Sequence, residues 1–225
     1  MPDFKAVFFD VDGVLLDSLP PHLALCRALN IQYGLGLDIP DIAAFKRIAR
    51  SGVPISPMVA FFRAVGFPEE EAKRGDHEYR MHFTKRYRIP VFQGVQEMLQ
   101  RLTDSGLYLG IVTANTLTNI QKPLKSAFSL FHPPCVFTHD TTEGLPKAEA
   151  IRKGAKILGI TPSEILFVGD QRSDAQSATD AGAHFLGVTY GWGIAAVKMS
   201  GPTAGSPDEI AAWVTHRVRP NRTEP

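Results

Sequence analysis

Two carboxylates, Asp10 and Asp12, close the apolar run Ala6-Val7-Phe8-Phe9, and Gly13 follows them. Residues two apart on an extended chain point to the same side, so the pair would leave a strand end together. Neighbouring carboxylates repel unless a cation or a shared proton relieves them. The arrangement therefore asks for a divalent metal. The unbroken apolar run suits a strand covered on both faces, as in a parallel sheet. Ligands of open α/β sheets bind beyond the carboxyl ends of the strands, and Gly13 permits a sharp turn away from that end.

Three later segments carry matching chemistry. In Gly110-Ile111-Val112-Thr113-Ala114-Asn115 a hydroxyl ends an apolar stretch. Its Oγ and the backbone N–H groups of Ala114 and Asn115 can bind a phosphate, or Thr113 can simply cap a helix. Lys147 follows Gly144-Leu145-Pro146 at the start of a helical pattern. A cation there opposes the helix macrodipole, so an anion is expected to offset it. Phe167-Val168-Gly169-Asp170 is a second apolar run ending in a carboxylate, and Asp174 follows four residues later. Magnesium prefers such oxygen donors, while Asp174 can also cap the following helix.

These residues need a sheet to hold them. From Pro90 onward strands and helices alternate. A helix is expected over 91–104, a strand over 107–113, a helix over 117–128 despite Pro123, and a short strand over 135–138. A helix over 148–158, a strand over 165–168, a helix over 173–181 and a strand over 184–188 complete the series. That rhythm predicts an α/β fold with a parallel, Rossmann-like sheet. Residues 18–89 break it with helical stretches over 21–33, 39–49, 56–65 and 69–88 and no strand. The expected division is an α/β core of 1–17 and 90–225 with an all-helical cap of 18–89 placed as a lid. The insert carries 11 Lys/Arg against 7 Asp/Glu, a net charge of +4 that suits an anionic substrate. The tail after Arg217 is polar and expected to be disordered.

Asp10-Val11-Asp12-Gly13-Val14 with Thr113, Lys147 and Gly169-Asp170…Asp174 resembles the motif set of the haloacid dehalogenase-like hydrolases. The insert resembles the helical cap of the branch containing phosphoglycolate phosphatases and β-phosphoglucomutases. Many capped relatives read Gly-Lys-Pro-x-Pro at the third motif, which would put Leu145 at the lysine's place. Lys147-Ala148-Glu149-Ala150-Ile151 resembles instead the Lys-Gly-x-Ala-Leu form, so the role goes to Lys147.

The resemblance implies that Asp10 attacks phosphorus and becomes a phosphoaspartate, with Asp12 as acid and then base. It implies Mg²⁺ held by Asp10, the Asp12 main-chain carbonyl and Asp170, with support from Asp174. Thr113, Ala114, Asn115 and Lys147 would clamp the phosphoryl group. An acidic residue at position 12 argues against dehalogenase and phosphonate-cleaving branches. His22 falls where sugar-phosphate mutases carry a hinge histidine, and Arg50, after Lys46 and Arg47, falls beside a stretch resembling the cap's specificity loop. The implied activity is hydrolysis of a small phosphorylated metabolite. A sugar phosphomutase, or a non-catalytic phosphate-binding protein on the same fold, stays open.

Bulk properties agree with a compact protein of ordinary composition. Of 225 residues 44% are hydrophobic and 21% charged, and the net charge of +1 lends no support to nucleic-acid or membrane partners. Cys26 and Cys135 lack metal-type spacing and read as thiols of a reducing compartment. The opening Met-Pro-Asp-Phe-Lys lacks a signal-peptide pattern and no run approaches a membrane span. The expected location is the cytoplasm. Oligomeric state is left open.

Overall fold

The protein is described by a computed structural model over residues 4–193 and 201–217; the expected tail beyond Arg217 and the first three residues lie outside the described residues. Among these, six strands build one parallel sheet: β1 (Ala6–Phe9), β2 (Tyr108–Val112), β3 (Val136–Phe137), β4 (Ile165–Gly169), β5 (His184–Val188) and β6 (Thr203–Ala204). Their order is β3-β2-β1-β4-β5-β6. Helices α1 (Leu19–Tyr33), α2 (Ile42–Arg50), α3 (Met58–Ala64) and α4 (Glu69–Arg86) form the helical insert after β1. The core helices are α5 (Val95–Asp104), α6 (Leu117–Leu124), α7 (His139–Thr142), α8 (Lys147–Leu158), α9 (Arg172–Ala181) and α10 (Pro207–Thr215).

β1 shows why its sequence has no polar alternation. Ala6 and Phe8 pack in one apolar layer with Ala150, Ile151 and Phe167, whereas Val7 and Phe9 pack in the layer on the other face. All four residues are buried. The sheet is thus a covered parallel sheet, the fold the alternating pattern predicts.

Several boundaries differ from expectation for local reasons. The helix expected from Val91 starts at Val95, because Leu16 and Val91 form an antiparallel bridge and Phe92 N–H donates to Leu15 O (3.0 Å). The helix expected over 117–128 ends at Leu124, one residue past Pro123, whose ring and missing N–H disfavour a longer run. Lys125 then takes φ +50° and the chain continues as a 3₁₀ helix over Lys125–Leu130. No element is expected over 203–215, yet β6 and α10 form there. Ser206 caps α10 by accepting Glu209 N–H (3.2 Å), and Pro207 occupies its first turn. No helix among the described residues is long and apolar enough to cross a membrane. Cys26 and Cys135 are buried and unpaired.

Candidate active site

Strand pairing alone brings the first motifs together. Phe9 is in register with Ile111 of β2 and Val168 of β4, and Asp10 N–H extends the ladder to Val168 O (2.9 Å). Asp10, Thr113 and Asp170 therefore emerge side by side from three adjacent strands. Connections leave in opposite directions on the two sides of β1, and the crevice at such a switch point is where open α/β sheets bind ligands.

The carboxylates of Asp10, Asp170 and Asp174 converge, each offering an oxygen within 4.8 Å of the other two. Lys147, the first residue of α8, donates to Asp10 Oδ1 (2.8 Å) and Asp174 Oδ1 (2.7 Å). The anion expected to offset this lysine is thus two carboxylates. Asp174 Oδ2 accepts the N–H groups of Asp170 (3.2 Å) and Gln171 (3.0 Å), so Asp174 caps α9 while it holds Lys147. Asp170 Oδ2 accepts Trp192 N–H at 2.5 Å, but its Oδ1 is buried without a hydrogen-bond partner among the described residues. An orphaned carboxylate oxygen facing a second carboxylate fits a hard divalent cation.

Glycines make the approach possible. Gly13 has φ +83°, and a Cβ there would lie 2.4 Å from Asp170 Oδ2. A Cβ on Gly191 would fall 2.5 Å from both Asp170 Cβ and Gly13 O.

Burial sets the electrostatics. It pushes the Asp10 carboxyl up to about 7, with Lys147 pulling it down and Asp174 adding to the rise. Asp170 is raised well above the usual carboxylate range, first by burial and then by Asp174 and Asp10. Burial disfavours the Lys147 ammonium, but Asp10 and Asp174 outweigh it and hold the group above its ordinary range. These groups are poised to be relieved by added positive charge.

Asp12 faces another way. Its Oδ1 accepts from Ser18 Oγ (2.5 Å) and its Oδ2 from Asn115 Nδ2 (2.8 Å). Ser18 stands at the N-cap of α1 but spends its hydroxyl on Asp12 rather than on the helix. The Asp12 side chain is accordingly not in the carboxylate cluster. Thr113 Oγ1 accepts Asn115 N–H (3.2 Å), and both residues border the cleft with Ala114.

The insert supplies the opposite wall. His22 is buried, with Nδ1 2.5 Å from Ser18 O, which places its proton on Nδ1. Its ring stacks on Phe83 (4.6 Å) and Tyr79 (5.2 Å), and burial holds its imidazole below the ordinary range. Ile55, Met58 and Phe61 face the same cleft. Arg50 does not border it, and Lys46 Nζ instead donates to Tyr190 O (3.1 Å). The Tyr190–Gly193 turn buries Trp192 and supplies its N–H to Asp170. Tyr79 reads from sequence as a core aromatic at helical spacing, and it is buried, but the fold also brings it to the cleft beside Asn115 and Asn119.

Comparison with known proteins fits this geometry. Residues 7–188 match the haloacid dehalogenase-like hydrolase family. N-acetylmuramic acid 6-phosphate phosphatase of Pseudomonas aeruginosa is 30% identical over 192 residues, covering 84% of this chain and 83% of that protein. Phosphoglycolate phosphatase of Pseudomonas savastanoi pv. phaseolicola is 27% identical over 194 residues, covering 84% and 70%. The structure of a haloacid dehalogenase-like family hydrolase from Streptococcus pneumoniae superposes with TM-score 0.75 at 22% identity, covering 95% of this chain and 99% of that one. The chain belongs to the haloacid dehalogenase-like hydrolase family, and it stands among that family's phosphatases.

Proposed function

We propose that this protein is a Mg²⁺-dependent phosphatase that hydrolyses a small phosphorylated metabolite through a phosphoaspartate. The observation that carries the reading is the convergence of the Asp10, Asp170 and Asp174 oxygens within 4.8 Å beside Lys147, with Asp170 Oδ1 orphaned. Asp10, Asp170 and the Asp12 main-chain carbonyl would hold Mg²⁺, which supplies positive charge against the phosphoryl oxygens when bound. Asp174, with both oxygens engaged by Lys147 and backbone N–H groups, supports that set.

In this reading an Asp10 oxygen attacks phosphorus as the ester P–O bond breaks, and Asp12 gives its proton to the departing alkoxide. Asp12 then takes a proton from the water that attacks phosphorus, and Asp10 is released as carboxylate with inorganic phosphate. Dividing the displacement makes two easier steps, and a positioned acid/base adds on the order of 10²–10⁴-fold. Ser18 and Asn115 hold Asp12 aimed for both transfers. Lys147, Thr113 and the Ala114 and Asn115 N–H groups neutralise and orient the phosphoryl oxygens. The helices from Leu19 to Arg86 act as a cap over the site. Two unpaired buried thiols suit a reducing, cytoplasmic setting.

The test is phosphate release from phenyl phosphate with and without Mg²⁺. Turnover should require the metal, and Asp10→Asn should abolish it. An Asp10→Asn variant as active as the parent would refute the covalent route.

A further inference from the structure

The two walls of the cleft differ in kind. The core wall is polar and charged, built by Asp10, Asp12, Thr113, Asn115 and Lys147. The facing wall is largely apolar and aromatic: Ile55, Pro57, Met58, Phe61 and Tyr79 from the insert with the buried His22 ring among them, and Trp192 from the core loop. Lys147 is the single cation bordering the cleft among the described residues, and two carboxylates already engage it. Of the insert's cations, Lys46 donates to Tyr190 O and interacts with Asp17 and Asp170 behind the cleft, while Arg47 and Arg50 do not border it.

A phosphate ester bound with its phosphoryl group on the core wall faces the apolar wall directly across the cleft, the side on which its leaving group can pack. A carboxylate or second phosphate there would be stripped of water with no counter-charge to meet it, an arrangement proteins avoid. Hydroxyl groups face a smaller penalty, since Ser56 and Gln171 also border the cleft and can bond them. The cleft itself is small, about 50 Å³, and adjoins a cavity of about 420 Å³ that shares Ser56, Pro57, Thr113, Ala114 and Lys147 with it.

We infer that the leaving group of this enzyme's substrate is an uncharged alcohol whose carbon skeleton lies against Ile55, Met58 and Phe61. This rests on the phosphatase reading and narrows it: acids such as 2-phosphoglycolate and the bisphosphates that a sugar phosphomutase needs are disfavoured.

Matched pairs test it on the full chain with Mg²⁺: ethyl phosphate against 2-phosphoglycolate, and glycerol 1-phosphate against 3-phosphoglycerate. The neutral member of each pair should have the higher kcat/KM by at least about tenfold. Met58→Arg, which places a cation on the apolar wall, should raise the relative kcat/KM for 2-phosphoglycolate by about tenfold. Equal or better hydrolysis of the acids by the wild type overturns the inference while leaving the phosphatase reading intact. So does a preference unmoved by Met58→Arg in a folded variant. Failure to hydrolyse any of the four esters, and phenyl phosphate as well, overturns the phosphatase reading and the inference with it.

Discussion

Asp10 shows how burial prepares a group for a cation. Its carboxyl is raised from 3.8 to about 7, so between those pH values the folded chain keeps a proton that the unfolded chain gives up. The stability this retained proton contributes is greatest at low pH and is lost as pH rises towards 7. Metal-free protein should therefore melt at progressively lower temperature from pH 5 to pH 8, and Asp10→Asn should flatten that decline. Mg²⁺ favours the ionised carboxylates, so its stabilisation should be larger at pH 8 than at pH 5. Thermal melts with and without the ion check both statements, and a pH-independent Mg²⁺ increment would contradict them. Asp12 depends instead on orientation. Removing the Asn115 amide frees one of its oxygens, and misaimed acid/base groups cost up to about 100-fold. Asn115→Ala should lower kcat by roughly 10- to 100-fold, read from steady-state kinetics.

At the scale of elements, the strand–helix contacts that seat these residues leave little slack. Gly154 in α8 would normally gain up to about 1 kcal/mol from replacement by alanine. Here the added Cβ would lie 2.3 Å from Phe8 Cε2, and Gly110 closes on the same ring from β2, where a Cβ would lie 2.5 Å from Cδ1. Overpacking costs about 1–3 kcal/mol, so Gly154→Ala should destabilise by about 1–2 kcal/mol in urea titration despite its better propensity. The same elements mark what the sequence makes legible. Apolar runs ending in Asp10 and Asp170 announce covered strands with acidic ends, because both signals are local. The diversion of Ser18 from helix cap to Asp12, the N–H of Trp192 on Asp170 and the approach of Tyr79 join residues far apart in the chain, and no spacing rule encodes them. Arg50 is legible as a charge but not as a direction: how α2 packs decides which way it faces, and here it does not border the cleft. The Ser206-Pro207-Asp208-Glu209 start of α10 is by contrast a local cap signal that the sequence carries.

Across the whole molecule, the insert meets the core through two chain passes that lie side by side. Asp17 N–H donates to Pro90 O (2.9 Å), Phe92 N–H donates to Leu15 O (3.0 Å), and Leu16 pairs with Val91. Two adjacent, mutually bonded connections form a clasp of the kind about which an inserted domain can rotate to close a site. The apolar wall that faces the carboxylates across the cleft of about 50 Å³ is carried by this insert. If the insert rotates about this clasp, a phosphoryl mimic bound with Mg²⁺ should hold it shut. Hydrogen exchange with Mg²⁺ and orthovanadate should slow at backbone amides of 51–61, which carry the apolar wall, and leave β1 and β4 unchanged. Uniform protection over the sheet, or none over 51–61, would mean that the site closes by some motion other than rotation about the clasp.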